Sequence, residues 1–288
     1  ALAWPDYSLI DPARYSESFF KGAIAPILTS RGCPHACTYC VRTYGKEVVY
    51  RSPESVLGEI EAALAHGIRR IRFMDDTFAL NRRRCATILE SILERGLGIE
   101  WSALTRVDGL DADLLALMRR SGCRRLYLGV ESGSQRMLDA YKKGMTLDQA
   151  RRAAGLVKAA GIEASGFFIV GAPEETEEDL AASIAFAKEL DLDYVIVTRL
   201  QYWPGTDLFP EMAGRVRFSL VPTRVEVPGV RAYEAYYDWE RRFYREFYLR
   251  PRYVARRARS LLRTPGDVLS GFRSLLAYSF AKEARDFI

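Results

Sequence analysis

The sequence predicts an α/β fold: a partial six-stranded parallel βα barrel, open and TIM-like, with a C-terminal helical extension. Between Ile24 and Thr206, short β-branched runs alternate with helical stretches, the pattern of repeated βα units on a parallel sheet. The 288 residues, 49% apolar and 27% charged, are ample for one sizeable core plus a smaller appendage. Pro26 sits inside the first run. Proline costs a ladder bond in a central strand and is tolerated at an edge, so a six-stranded barrel that does not close would place this strand at its margin.

The elements follow in order. Strand one is IAPILTS from Ile24. Ser52 can cap the first helix, Pro53 suits its first turn, and Val56, Leu57, Ile60, Ala63 and Leu64 form one apolar stripe before Gly67 stops it. The next strands are RRIRFMD from Arg69, IEWSALT from Ile99, RRLYLGV from Arg124 and EASGFFIV from Glu163. Thr176, with acidic residues after it and Leu180, Ile184 and Ala187 behind, starts another helix. DYVIVTRL from Asp193 is strand six. After Pro204 the pattern changes to a proline-bearing connector from Arg215 to Val230, then an aromatic, arginine-rich helical region that reads as a plug for the open side or bottom of the barrel. The expected divisions are 1–22 as an N-terminal linker, 23–210 as the barrel and 211–288 as the helical extension.

No apolar run approaches the roughly 20 residues needed to span a bilayer, and the N-terminus lacks a secretion-signal pattern, so the chain reads as cytoplasmic. The net charge of +5 belongs mostly to the tail, where Arg241 to Arg263 contains nine arginines and one glutamate. A nucleic-acid binder would rest on that tail alone. Residue 1 is Ala, not Met, which points to missing upstream sequence. The five cysteines, an odd number, argue against a disulfide framework and for a metal or redox use of the cluster among them.

That cluster is RGCPHACTYC, Arg31 to Cys40, immediately after strand one and at the carboxyl end where parallel barrels place their chemistry. The spacing of Cys33, Cys37 and Cys40, C-x3-C-x2-C, lets one loop wrap a compact inorganic core. A structural zinc site wants four ligands, as does a ferredoxin cluster. Neither remaining cysteine is well placed to be the fourth. Cys85 lies on the inner face of a helix with Ile88, Leu89 and Ile92, and Cys123 precedes strand four at the opposite end of the barrel; both read as core thiols. His35 reads as a solvated spacer. Three ligands without a fourth imply a 4Fe-4S cluster with one iron left open.

These residues resemble the radical S-adenosylmethionine enzymes, whose signature is C-x3-C-x2-C after the first strand of a partial βα barrel, usually with an aromatic, here Tyr39, before the last cysteine. The resemblance covers about Ala23 to Thr206. It implies that the open iron chelates S-adenosylmethionine and that reductive cleavage of the sulfonium gives a 5'-deoxyadenosyl radical. It further implies a pocket at the same rim: Asp75 and Asp76 in FMDDTF accepting from the ammonium, Arg106 in TRVDGLD meeting the carboxylate, Glu131 in GVESGS accepting from the ribose, and Ile169, Val170 and Gly171 in FFIVGAPEET lying against the adenine. Each has a structural alternative. Asp76 or Thr77 can cap the next helix, and Arg106 can form an ion pair with Asp75, Asp76 or Glu131.

Within the superfamily, LTSRGCPHACTYC, MDDTF, TRVDGLD, GVESGSQR and FYLRPRY look like the cobalamin-binding members that include the anaerobic magnesium-protoporphyrin ester cyclase and many methyltransferases. Those carry an Asp-x-His-x-x-Gly fingerprint in an N-terminal module, and neither His35 nor His66 has an Asp two residues before it. Any cobalamin is therefore expected to be held by a domain outside this chain, upstream of the linker-like WPDYSLID. The expected partners are a small-molecule substrate and an electron donor such as flavodoxin or ferredoxin. Rival readings are a stand-alone oxidoreductase or isomerase, an iron-sulfur electron carrier, which lacks its fourth ligand, and a methylthiotransferase, which carries a second cysteine set. No acid or base is assigned, and Tyr202 near the end of strand six is a candidate substrate contact.

Overall fold

A computed structural model describes residues 4–11, 14, 23–220, 223–230 and 235–261. Six parallel strands form one sheet: β1 Ile24–Ile27, β2 Arg70–Phe73, β3 Glu100–Thr105, β4 Cys123–Glu131, β5 Glu163–Val170 and β6 Tyr194–Arg199. They lie in sequence order, each hydrogen-bonded to the next, and β1 and β6 are not paired with each other. The barrel is therefore open, and Pro26 sits on an edge strand as its missing N–H requires.

Helices α1 Pro53–Ala65, α2 Arg82–Glu94, α3 Ala112–Arg120, α4 Gln135–Ala140, α5 Leu147–Ala159 and α6 Glu177–Glu189 connect the strands. Ser52 caps α1 through the Ser55 amide, and Thr176 closes a capping box with Asp179 at the start of α6. The cap of α2 is Asn81, not Asp76 or Thr77. The alternating strand residues Ile71, Phe73, Trp101, Leu126, Leu128 and Ala164 bury against this helical layer, with Phe73 edge-on to Trp101 at 5.4 Å. Cys85 and Cys123 are both buried core thiols.

Beyond β6 the connector holds more structure than its prolines suggest. A turn, α7 Phe209–Met212, leads into an antiparallel hairpin of Arg217–Leu220 with Thr223–Glu226. Helix α8, Tyr236–Tyr248, then covers the free edge of β6, and α9, Pro251–Leu261, follows. Phe243 of α8 stacks obliquely on Phe168 at 4.9 Å. Two tyrosine hydroxyls do what a seventh strand would do. Tyr244 accepts from the Val197 amide at 3.0 Å and donates to its carbonyl at 3.4 Å; Tyr248 does the same at Val195, at 3.1 and 3.2 Å. The Tyr253 hydroxyl donates to the Asp193 carbonyl at 3.1 Å. The expected plug is thus an edge cover as far as it is described; the remainder of the expected extension, 262–288, and most of the linker, 1–22, lie outside the described residues. Among the described residues no helix is long and apolar enough to cross a membrane.

Candidate functional site

The three-cysteine loop leaves the carboxyl end of β1 and is anchored at both ends. At its base the carboxylate of Asp75 accepts from the Thr29 amide at 2.6 Å, the Thr29 hydroxyl at 2.5 Å and the Ser30 amide at 2.9 Å. Both Asp75 oxygens are engaged in this latch, so its place in the site is to hold the loop onto the end of β2. Asp76, half-buried, accepts from the Gly32 amide at 3.2 Å and is the carboxylate turned toward the loop. Gly32 has φ +93°, and a Cβ there would stand 2.0 Å from the Glu47 carbonyl oxygen, so no side chain fits where the loop passes its own return limb. That limb pairs Val49–Tyr50 with Ser30–Arg31.

At the far end, the Thr38 amide donates to the Tyr141 carbonyl at 3.0 Å, and the Leu208 amide donates to the Thr38 carbonyl at 3.3 Å. The Tyr39 ring meets Tyr141 edge-on at 5.3 Å. The three thiols are free. Cys37 is buried, and Cys33 and Cys40 are partly so. The Cys40 thiol is pushed up to about 11, by burial first and then by the neighbouring Cys37 and Cys33 sulfurs, with Asp76 adding and Arg42 opposing. Among the described residues no three His, Cys, Asp or Glu side chains are grouped as a ready-made metal site. Burial and the neighbouring sulfurs hold the proton on Cys40, and a cationic core would supply the attraction that draws it off. The donor set, three neighbouring soft thiols on one latched loop, fits an iron-sulfur cluster in kind and number.

The rim around the loop is built from the ends of β3, β4 and β5. Glu131 ends β4 with φ +67°, at a register irregularity that re-aims its side chain. Its Oε1 accepts from Lys143 Nζ at 2.7 Å, and both side chains are buried. Lys143 Nζ also donates to the Tyr39 hydroxyl at 3.3 Å, tying the ion pair to the cysteine loop. Gly129 makes room for the pair, since a Cβ there would lie 2.8 Å from both Glu131 Oε1 and Lys143 Nζ. Arg106 pairs with Asp108, its Nη2 to Oδ2 at 2.7 Å, and donates to the Lys143 carbonyl at 2.9 Å. None of the three anticipated partners, Asp75, Asp76 or Glu131, holds it. Lys143 was not foreseen from the sequence. Twelve residues separate it from Glu131 and far more from Tyr39, and no local pattern links them.

At the end of β5, Ile169 and Val170 are buried and Gly171 has φ +90°. The turn is held by Glu175, whose Oε2 accepts from the Gly171 amide at 2.6 Å and the Ala172 amide at 3.3 Å, while Oε1 is buried with no hydrogen-bond partner. Burial pushes the Glu175 carboxyl up to about 7, against the pull of those two amides; Asp179 and Glu174 add to the rise. Tyr202, three residues beyond the end of β6, is buried. The folded protein therefore keeps the Glu175 proton to about pH 7, while the unfolded chain releases it near 4.5. Stability then falls as pH rises between those values, by about 3 kcal/mol in all. Glu175→Gln is expected to remove this slope, raising stability at pH 8 relative to wild type and narrowing the difference toward pH 5. Denaturant unfolding at both pH values checks it, and parallel curves for the two proteins would refute the assignment.

Fold and loop together define an open βα-barrel protein with a three-thiol centre at the carboxyl end of its first strand. The sequence model of the Radical SAM superfamily matches residues 27–187, and the chain belongs to that superfamily. It is 38% identical over 208 residues to an uncharacterized methyltransferase of Pyrococcus horikoshii, covering 71% of this chain and 45% of the relative. It is 30% identical over 216 residues to the anaerobic magnesium-protoporphyrin IX monomethyl ester cyclase of Rubrivivax gelatinosus, covering 74% and 39%. The chain thus spans less than half the length of these relatives. Among solved structures, the radical S-adenosylmethionine methyltransferase TsrM of Kitasatospora setae, with cobalamin and a 4Fe-4S cluster bound, superposes with a TM-score of 0.63 at 25% identity, covering 67% of this chain and 40% of that one.

Proposed function

We propose that this chain is the radical-generating barrel of a cobalamin-dependent methyltransferase or cyclase, and that Cys33, Cys37 and Cys40 hold a 4Fe-4S cluster that cleaves S-adenosylmethionine. The observation that carries the reading is the latched loop with its three free thiols at the carboxyl end of β1, Cys40 lying close enough to feel both of the others. The relatives, named as methyltransferases and a cyclase, support the subclass.

When bound, the cluster supplies the electron and S-adenosylmethionine the adenosyl radical. The chain's own residues do the rest. Asp75 fixes the base of the loop, and Tyr39 with Lys143 fixes its far side. Asp76 offers a carboxylate for the ammonium of the ligand and Arg106 a guanidinium edge for its carboxylate; Glu131 stands ready for the ribose, and Ile169, Val170 and Gly171 offer an apolar, backbone-lined seat for the adenine. Cobalamin, in this reading, is held by a domain outside residues 1–288. An electron donor such as flavodoxin or ferredoxin would reduce the cluster.

The test is anaerobic reconstitution with iron and sulfide, reduction with dithionite and addition of S-adenosylmethionine. Formation of 5'-deoxyadenosine is the expected result, with no tight binding of cobalamin by this segment. A loaded cluster that leaves S-adenosylmethionine intact would defeat the enzyme reading in favour of an electron carrier.

A further inference from the structure

Tyr39 lies in the cysteine loop between Cys37 and Cys40, and its hydroxyl meets a buried cation there. Lys143 Nζ donates to the Tyr39 hydroxyl at 3.3 Å and to Glu131 Oε1 at 2.7 Å. An ammonium has three hydrogens to give and no lone pair, so the phenol oxygen can only accept from Lys143. Its own hydrogen must point elsewhere. Two acceptors are in hydrogen-bonding contact with that hydroxyl, the Glu131 carboxylate and the Cys37 sulfur. The ring that carries it is fixed in place, edge-on to Tyr141 at 5.3 Å, and the Thr38 amide beside it donates to the Tyr141 carbonyl at 3.0 Å.

The chemistry of the two acceptors decides between them. Glu131 already takes a charge-assisted hydrogen bond from Lys143. Cys37 is the buried thiol of the three, at 7% exposure, whereas Cys33 and Cys40 are partly open. As a metal ligand Cys37 is a thiolate, and an anion so screened from water gains most from a fixed donor. A hydrogen bond to a ligand sulfur, with a positive charge behind it, favours the more negative, reduced form of an iron-sulfur cluster and so raises its potential.

We propose that Lys143 and Tyr39 form a two-step relay onto the Cys37 sulfur, Lys143 donating to the Tyr39 hydroxyl and that hydroxyl donating to Cys37, and that this relay sets the reduction potential of the cluster held by the loop. Both residues are positioning groups that act through a cluster ligand. The inference rests on the reading of the three cysteines as a cluster site, and it is independent of the fate of S-adenosylmethionine.

The test is a spectroscopic redox titration of the anaerobically reconstituted chain, with no S-adenosylmethionine present. Tyr39→Phe keeps the ring and removes the hydroxyl. It is expected to lower the potential by about 59 mV, a tenfold change in a one-electron equilibrium, with iron content unchanged. Lys143→Met should fall at least as far, because it also leaves the Glu131 charge uncompensated, while Lys143→Arg, which keeps a cationic donor, should fall less than half as far. Tyr141→Phe removes the hydroxyl of the neighbouring ring, which has no hydrogen-bond partner, and should leave the potential where it was. Should Lys143→Met fail to fold, Tyr39→Phe and Lys143→Arg decide the matter between them. A Tyr39→Phe potential equal to or above that of the wild type, or an equal fall in Tyr141→Phe, would overturn the relay. If the wild-type chain assembles no cluster, the iron-sulfur reading falls and the relay with it; a cluster that assembles but is indifferent to Tyr39 sinks the relay alone.

Discussion

Replacing Cys33, Cys37 or Cys40 with Ala is expected to abolish the iron-sulfur absorbance of the reconstituted protein and all formation of 5'-deoxyadenosine, while Cys85→Ala and Cys123→Ala keep both. The asymmetry follows from position. The first three thiols share one loop, and Cys40 is electrostatically coupled to the other two. Cys85 and Cys123 are buried at 1% and 0% exposure in the helical layer and at the start of β4. Truncating them leaves small cavities and a stability cost of about 1–2 kcal/mol, to be monitored by unfolding. Iron content is the decisive measurement. A Cys85→Ala protein that lost its iron, or a Cys37→Ala protein that kept a full cluster, would overturn the assignment of the loop.

The second large effect is expected at Lys143. Removing one partner of a buried ion pair strands the other, at a cost of about 3–5 kcal/mol. Lys143→Met should therefore destabilise the protein steeply in urea. It should also loosen the cysteine loop, because Lys143 Nζ reaches the Tyr39 hydroxyl. The double variant Lys143→Met with Glu131→Gln removes the stranded charge and should recover more than half of the loss. If the two substitutions simply added, or if Lys143→Met alone cost under about 1 kcal/mol, the pair would not be the brace described here.

Much of the barrel was legible because a parallel sheet buried by helices writes itself as apolar runs of strand length bounded by caps. Ser52 and Thr176 name their helices locally, and Pro26 names its strand as an edge. The cysteine loop was legible for the same reason, since its ligands are close in sequence. What escaped was set by contacts between distant segments. Arg106 also reaches the carbonyl of Lys143, 37 residues on, and its ion pair with Asp108, although local, displaces the partners expected from other strands. Lys143 returns from beyond α4 to a glutamate whose positive φ no residue pattern announces. The hairpin of Arg217–Leu220 and Thr223–Glu226 was masked by the prolines around it, which signal a connector as readily as a turn. Glu175 stood in a noticed motif, yet its unpartnered oxygen is a property of burial alone.

The tyrosine cover on β6 behaves like a vernier between two rulers. Residues four apart on a helix advance about 6 Å along its axis, whereas alternate residues on a strand advance about 6.7 Å, so the two scales slip by about 0.7 Å at each successive contact. Tyr244 and Tyr248 fall within that tolerance at Val197 and Val195. The third contact, at Asp193, comes from Tyr253, five residues on instead of four and on the far side of the break between α8 and α9. The break resets the scale. A helix can thus stand in for a strand only over short stretches, and an uninterrupted α8 would reach the start of β6 out of step with it.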